Sequence, residues 1–244
     1  EDIQHKLIRA VLKKLSIDGG IEITTLADVP SHGTGLGSSS SFTVGLLNAM
    51  NAFLGKKSDS SNLAKTAIYI EQELLKEHVG SQDQISAAYG GFNEIGFHED
   101  GEFTITPVGV NKTRLDDLNK HLMLFFTGVS RFSSEIAQSQ IANMDNCINQ
   151  MNELYEMVDE GSSILSNNNT PIDDFGKLLH NAWITKRSLS NKISNSTIDE
   201  LYDAAIRSGA IGGKVLGAGG GGFILFFVKP ENQDKVKRAL PKLT

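Results

Sequence analysis

Apolar residues recur at intervals of three and four along much of the chain, which predicts amphipathic helices. This spacing runs through residues 2–15, 42–53 and 61–76, and glycines follow the first two of these segments. Residues 21–25 show a different pattern, because isoleucine and threonine there alternate with polar residues. That alternation predicts a half-buried strand that begins at Ile21 and runs up to Pro30, between the first two helices.

Strands and helices mix without a regular rhythm in the rest of the sequence. Two apolar runs, 92–97 and 103–108, flank a turn and predict a hairpin. Further strands are predicted at 122–127 and 223–228, and further helices at 133–165, 178–189, 198–208 and 231–240. Because no repeated strand-helix-strand order is found, we predict an α+β fold rather than a doubly wound sheet.

The polar stretch 111–120 interrupts these elements and suggests a change of domain. We place the boundary near residue 115, which gives one domain of residues 1–115 and another of 116–244. The lengths suit two domains that each bury a core.

Residues 29–42, VPSHGTGLGSSSSF, lie between the predicted strand and the second helix. A flexible linker with a serine helix cap is one interpretation, and a phosphate-binding loop is the other. The flanking strand and helix favour a loop inside a compact unit. A Walker A loop is excluded, because Ser38 follows Gly37 where a lysine is required, and Ser38 also breaks a dinucleotide fingerprint. A nucleophile elbow, Gly-x-Ser-x-Gly, is absent.

Two acidic residues form a second candidate site. Glu71 lies on the helix 61–76, and Asp83 follows twelve residues later in a turn. Phosphoryl transfer uses Mg²⁺ to neutralise the nucleotide and a carboxylate to orient the acceptor hydroxyl. For each of the two residues, the alternative is an exposed surface position with no function. Glu73 is a second candidate for the role of Glu71, because the sequence does not fix which residues of the helix face the site.

A second glycine run, residues 217–222, matches the pattern G-x-G-x-x-G. A strand follows it rather than a helix, which excludes a Rossmann-type dinucleotide site. A tight glycine turn without a ligand is the remaining alternative.

These motifs, in this order, resemble those of the GHMP kinases. Residues 33–40 resemble the family's phosphate loop, Gly80-Ser81-Gln82-Asp83 its Gly-x-x-Asp motif, and residues 217–222 its third motif. The resemblance covers essentially the whole chain. It departs at Ser31-His32, where Pro-Gly is usual, and at Ser40, where alanine is common. The resemblance implies a GHMP kinase fold, with an N-terminal domain like ribosomal protein S5 domain 2 and a ferredoxin-like C-terminal domain.

The resemblance also implies roles for individual residues. The ATP phosphates would be bound by the phosphate loop, namely Gly33, Gly35, Leu36, Gly37, Ser38, Ser39 and Ser40. Ser39, with Ser38 as the alternative, would hold Mg²⁺ together with Glu71. Asp83 would act on the acceptor hydroxyl, either as a base or electrostatically.

The branch that it resembles most is that of kinases acting on sugars and sugar phosphates at the anomeric position. Within that branch the D-glycero-D-manno-heptose 7-phosphate kinases of bacterial heptose biosynthesis share further stretches, at 80–93, 127–131 and 183–187. A phosphorylated acceptor needs cations, and Arg131, Lys186 and Arg187 are the candidates, with Arg131 preferred. The acceptor pocket would include Gly219, Gly220 and Gly221.

The sequence is also compatible with other functions. They are a GHMP kinase with another acceptor, such as fucose, another sugar or a mevalonate-type alcohol; a non-catalytic nucleotide- or sugar-binding module; and, more remotely, a serine hydrolase using Ser38–Ser41. The family's first motif, an Arg-rich strand ending in Gly-Gly-x-x-Asp, has no counterpart here. We expect either that it precedes residue 1 or that the chain is a fragment inactive alone.

The composition of the chain argues against two classes of binding partner, nucleic acids and membranes. The net charge of −6 and the pI near 5.5 argue against nucleic-acid binding. No apolar run reaches the roughly 18 residues of a membrane span, so we expect no membrane insertion. Cys147 is the single cysteine, which excludes an intramolecular disulfide and favours the reducing cytoplasm. A homodimer stays open.

Overall fold

A computed structural model of the chain describes residues 3–27, 34–129 and 133–241, without the side chains of residues 133 and 134. The chain divides into two compact units. One unit consists of Glu1–His32 and Gly37–Gly91, and the other of Gly33–Leu36 and Phe92–Thr244.

The first unit is helical. Its elements are α1 (Lys6–Lys14), α2 (Ser38–Phe53), α3 (Ser60–Ile68), a π-helix (Tyr69–Leu74) and α4 (Gln82–Tyr89). Apolar faces of α1, α2, α3 and the π-helix form one core, in which Val11, Leu47 and Ile70 are fully buried. The helices predicted from the three- and four-residue spacing are therefore confirmed.

The predicted strand at 21–25 is wrong. Within the described part of this segment, residues 21–27, no strand is present, although Ile21 and Ile23 are half-buried and their neighbours exposed. The predicted alternation of burial holds at Ile21 and Ile23 and stops at Thr25, which is exposed. A strand also requires a neighbouring backbone with which to pair, and the alternation carries no information about that neighbour.

The helix predicted over 61–76 changes its geometry part-way. Asp59 caps α3 by accepting a hydrogen bond from the Asn62 amide at 2.7 Å. After Ile68 the backbone continues as the six-residue π-helix, whose buried residues are Ile70 and Glu71. Such π-turns are rare and occur frequently at functional sites, because they change the direction in which successive side chains point.

The second unit contains two antiparallel sheets, six α-helices and two short 3-10 helices among its described residues. Its elements are β1 (Asn93–Phe97), β2 (Phe103–Pro107), α5 (Lys112–His121), β3 (Leu122–Phe126), α6 (Ser133–Ala142), α7 (Ile148–Ser166), α8 (Asp173–Ser188), α9 (Ser196–Arg207), β4 (Ala210–Val215), β5 (Phe223–Val228) and α10 (Gln233–Ala239). Strands β1 and β2 form the predicted hairpin, and the larger sheet has the order β3-β5-β4. The α+β class is confirmed.

Two elements of this unit were missed. The polar stretch 111–120 is largely helix α5, which Asn111 caps by accepting a hydrogen bond from the Arg114 amide at 2.9 Å. Leu115 lies inside this helix. The domain division near residue 115 stays a prediction.

Strand β4, with the sequence AIGGKV, was missed because glycine is depleted in strands. Its glycines are explained by packing. A Cβ added to Gly212 would overlap the Gly176 carbonyl oxygen of α8 and lie 2.8 Å from the His180 amide nitrogen. Glycine at position 212 therefore lets α8 lie directly on the sheet, and the aromatic core residues Trp183, Tyr202 and Phe226 are buried in the same unit.

The close approach of α8 to β4 predicts the effect of adding one methyl group. Gly212→Ala should lower the free energy of unfolding by about 3 kcal/mol, because the methyl group meets backbone that cannot rotate away. For a chain of this size that loss corresponds to a fall of about 6–12 °C in Tm, measured by calorimetry.

Gly45→Ala is the matched control, since Gly45 lies in α2 and a Cβ there meets nothing within 4 Å. Alanine should stabilise this helical position by about 0.5–1 kcal/mol. A Gly212→Ala protein that melts with the wild type would contradict the packing argument.

Candidate active site

The amino terminus of α2 has the features of an anion site. Gly37 is its N-cap residue, in the left-handed conformation with φ 67°, and it has no side chain with which to cap the helix. The first turn consists of serines and contains no acidic residue. The first N–H groups of a helix lack intrahelical acceptors, and the helix dipole favours negative charge at this end. A phosphate group is the ligand that suits this terminus.

The carboxyl group of Asp83 lies against Gly37. A Cβ added to Gly37 would be 3.0 Å from the Asp83 Cγ and 3.1 Å from its Oδ2. Asp83 itself occupies the first turn of α4. The absence of a side chain at Gly37 thus allows a carboxyl group to lie beside the serine turn, and this brings together two of the sequence-predicted site residues.

The side chain of Glu71 is buried beside the same helix start, with 1% of its surface exposed. The Ser40 hydroxyl donates to its Oε2 at 2.9 Å, and the Gln84 side-chain amide donates to the same oxygen at 2.6 Å. Among the described residues, no donor reaches Glu71 Oε1. Glu73, the alternative in the sequence, is exposed and pairs with Lys76.

The unpaired Glu71 Oε1 fits a cation. A buried carboxylate oxygen without a hydrogen bond costs free energy, which a bound cation would relieve. Within residues 3–27, 34–129 and 133–241 no group of three His, Cys, Asp or Glu side chains could hold a metal alone. Mg²⁺ commonly takes one or two carboxylates and completes its shell with substrate phosphates and water. One buried carboxylate beside a helix end that suits a phosphate is compatible with that arrangement.

Burial raises the pKa of Glu71, and the polar side chains of Thr43, Ser40 and Gln84 beside it lower that pKa by less. Below the ordinary carboxyl pKa of 4.5, Glu71 is protonated in both folded and unfolded chains. As the pH rises above that value, the unfolded chain loses this proton first. The folded state is then destabilised progressively, and the loss reaches its full and constant value once the pH has passed the raised pKa.

Glu71→Gln should therefore stabilise the metal-free protein at pH 7. The neutral amide removes a buried charge, and we expect Tm to rise by about 2–4 °C, equivalent to about 1 kcal/mol. The gain should disappear near pH 4, where Glu71 is itself neutral. Calorimetry in the presence of a chelator at both pH values measures this.

Glu73→Gln provides the comparison, because Glu73 is exposed. Its Tm should follow that of the wild type at both pH values. A Glu71→Gln protein that is less stable than the wild type at pH 7 would contradict the assignment of a buried, destabilising charge.

In the second unit, the segment 34–36 contacts the second glycine run. Thr34 accepts a hydrogen bond through its carbonyl from the Phe223 amide at 2.9 Å. A Cβ added to Gly35 would be 2.6 Å from the Leu216 carbonyl oxygen, and one added to Gly217 would be 2.8 Å from the Gly35 Cα. The two glycine motifs thus meet backbone to backbone, at a distance that only glycine permits.

Much of the second glycine run is bound to its own unit. The Gly220 amide donates to the Ile193 carbonyl at 2.7 Å, and the Gly222 amide donates to that of Val129 at 2.8 Å. A Cβ added to Gly219 or Gly221 would be 2.6 or 2.5 Å from these same carbonyl oxygens. Close packing of the loop accounts for these glycines, and their predicted contact with an acceptor stays a prediction.

The predicted cations differ in their surroundings. Lys186 donates from Nζ to the Gly217 carbonyl at 2.5 Å, so it contacts the glycine run through a neutral acceptor. Arg187 instead pairs with Asp199 at 2.8 Å and lies over the Trp183 ring, which gives it a structural role. Arg131 and Gly33, also predicted as site residues, lie outside the described residues, as does His32.

Sequence reasoning missed the roles of Ser40 and Gln84. Ser39, the predicted metal ligand, is exposed, and its carbonyl accepts a hydrogen bond from Thr43 at 3.0 Å. Ser40 is the buried serine that contacts Glu71. The burial of Gln84 is seen only in the structure, and its partner Glu71 lies thirteen residues away, so this contact could not be predicted from spacing.

Known proteins match this chain along both units. The family model described as GHMP kinases N terminal domain matches residues 3–91, and the model for GHMP kinases C terminal matches 167–243. A D-glycero-alpha-D-manno-heptose 7-phosphate kinase from Campylobacter jejuni is 31% identical over 248 aligned positions, covering 99% of this chain and 70% of the relative. The chain belongs to the GHMP kinase family.

Two further proteins show the range of this GHMP kinase's relatives. A bifunctional fucokinase/GDP-fucose pyrophosphorylase from Arabidopsis thaliana is 26% identical, over 95% of this chain and 22% of that protein. The crystal structure of a D-glycero-D-manno-heptose 1-phosphate kinase from Bacteroides thetaiotaomicron superposes with a TM-score of 0.77 at 26% identity, covering 100% of this chain and 72% of that one.

The predicted GHMP kinase fold and the kinase class are confirmed by these matches. Kinases of this family use ATP, so ATP is a substrate. Of the helices in the described residues, none combines the length and apolar character required to cross a bilayer.

Proposed function

We propose that this GHMP kinase transfers the γ-phosphoryl group of ATP to the anomeric hydroxyl of D-glycero-D-manno-heptose 7-phosphate, giving the 1,7-bisphosphate. One observation carries the proposal: the Asp83 carboxyl group lies within van der Waals reach of Gly37, at the amino terminus of α2. A helix end that suits phosphate and a carboxylate beside it are the two elements that phosphoryl transfer to a hydroxyl requires.

The phosphate loop would act by binding and orienting the nucleotide. The backbone of Gly35–Gly37 and the serine turn would contact the phosphates, where the αL conformation of Gly37 turns the chain into the helix. Asp83 would orient the acceptor hydroxyl or stabilise its developing charge. No covalent intermediate is required, because positioning and charge stabilisation account for most catalysis of this kind.

Glu71 and Ser39 would hold Mg²⁺, with Ser38 as the alternative hydroxyl ligand. When bound, Mg²⁺ neutralises phosphate charge and polarises the transferred group. Ser40 is less suited to this role, because its hydroxyl already donates to Glu71.

The acceptor end of the site would use Lys186, Arg131 and the glycines 219–221. Lys186 fits the phosphate of the acceptor, because its ammonium group lies beside the second glycine run, where it contacts the Gly217 carbonyl. We place the reaction in the cytoplasm, in keeping with a chain whose only cysteine is a buried thiol. Homodimer formation stays a prediction.

Asp83→Asn tests whether the carboxyl group beside Gly37 takes part in the reaction. Loss of the carboxylate should reduce kcat with heptose 7-phosphate by about 10²–10⁴-fold, the range of a general acid-base or electrostatic group. The assay is ATP turnover at saturating Mg²⁺, and KM for ATP should change little.

Asp18→Asn is the matched control, because Asp18 is exposed and remote in sequence from the motifs. It should retain wild-type turnover. Undiminished turnover by Asp83→Asn would reject the role of Asp83.

The acceptor is tested by comparing heptose 7-phosphate with heptose 1-phosphate, L-fucose and mevalonate at equal concentration. The two heptose phosphates are both needed, because the names of the two heptose kinases above differ in the phosphate position. Preference for L-fucose would favour the alternative that this protein is a fucokinase, which the fucokinase relative supports. Nucleotide binding by calorimetry without turnover of any acceptor would favour a binding module.

A further inference from the structure

The Glu71 carboxylate is held asymmetrically. Both donors that reach it, the Ser40 hydroxyl and the Gln84 amide, contact Oε2, at 2.9 and 2.6 Å. Among the described residues Oε1 receives no hydrogen bond, and the nearby Thr43 hydroxyl is directed to the Ser39 carbonyl. Oε2 therefore accepts two hydrogen bonds that fix its position, whereas Oε1 is left for a ligand.

Gln84 is suited to fix this group without neutralising it. Its side chain is fully buried, so its amide is not shared with solvent. A lysine or arginine at this position would hold the carboxylate equally well, but its charge would repel a cation. An uncharged donor orients Glu71 and leaves its negative charge available, as the outer-shell partners of metal ligands do.

Gln84 directly follows Asp83, the candidate catalytic residue, in the sequence. Asp83 and Gln84 are consecutive in the first turn of α4, where the first lies against Gly37 and the second binds Glu71. Gln72, next to Glu71 on the π-helix, donates to the Val79 carbonyl at 2.9 Å and to the Ser81 hydroxyl at 3.2 Å. Two hydrogen-bonded links therefore join the π-helix to the turn and helix that carry Asp83.

We propose that Gln84, together with Ser40, is a positioning residue that orients the Glu71 carboxylate so that Oε1 faces a divalent cation. This inference rests on the proposed function only in taking Glu71 as a ligand of that cation. It assigns no direct contact with substrate to Gln84.

The test is Mn²⁺ affinity, measured by electron paramagnetic resonance on the full chain with ADP present. Gln84→Met keeps the length of the side chain and removes the donor. It should raise the Kd for Mn²⁺ by about 10–100-fold, the range found for outer-shell partners. In the Mg²⁺-dependent kinase assay, the apparent KM for Mg²⁺ should rise in parallel, while kcat at saturating Mg²⁺ and KM for the sugar acceptor change far less.

Two further variants complete the experiment. Ser40→Ala removes only one oxygen atom, so it carries the test if Gln84→Met fails to fold, and it should weaken Mn²⁺ binding in the same direction. Gln138→Met is the control, because Gln138 is exposed in α6. It should leave the Kd for Mn²⁺ unchanged.

The outcomes separate the inference from the proposed function. Lower thermal stability of Gln84→Met and Ser40→Ala with wild-type Mn²⁺ affinity would overturn the inference and leave a purely structural role. Wild-type Mn²⁺ affinity in Glu71→Gln, with turnover of the sugar intact, would overturn it as well while the kinase function stands. Weakened Mn²⁺ binding in Gln84→Met, in a protein that phosphorylates no heptose phosphate, would support the inference and reject the proposed acceptor.

Discussion

The buried carboxylate of Glu71 constrains the whole helical unit of this protein. An anionic group with almost no solvent exposure must be compensated locally, and in the part of the chain that the structure describes two uncharged donors, from Ser40 and Gln84, hydrogen-bond to it. Those donors come from the first turns of α2 and α4. The start of the phosphate loop's helix, the π-helix and the helix of Asp83 must therefore keep their mutual register to satisfy one side chain.

In the proposed site, this arrangement would trade stability for a carboxylate that is positioned before its cation binds. An apolar residue at position 71 would remove the cost of burying the charge and would also remove the only buried acidic group of the unit among its described residues. Buried, imperfectly paired carboxylates are expected where a protein holds a group ready for a charged ligand. The π-helix contributes by directing Glu71 and Gln72 to different partners within a single turn.

Much of the fold followed from hydrophobic periodicity, because α1, α2, α3, the β1–β2 hairpin and β5 each carry a clean pattern. The failures have separate physical causes. Burial alternates at Ile21 and Ile23, but residues 24–27 are all exposed and no strand forms within 21–27. Strand β4 contains Gly212, which only the nearness of α8 explains. At the site, the motifs indicated Glu71 and Asp83, whereas the choice of Ser40 over Ser39 as the partner of Glu71 depends on which face of α2 is buried. Gln84 could not be assigned, since its contact is made through space.

The contact between Gly35 and Gly217 has a consequence for how these positions can vary. Each glycine is needed because the other backbone occupies the space of its side chain, and both have positive φ. Enlarging one cannot be offset by shrinking the other, because neither has an atom to lose. In a comparison of many homologous sequences the two positions would therefore be invariant rather than correlated, and a method that detects contacts from correlated substitutions would not find this one.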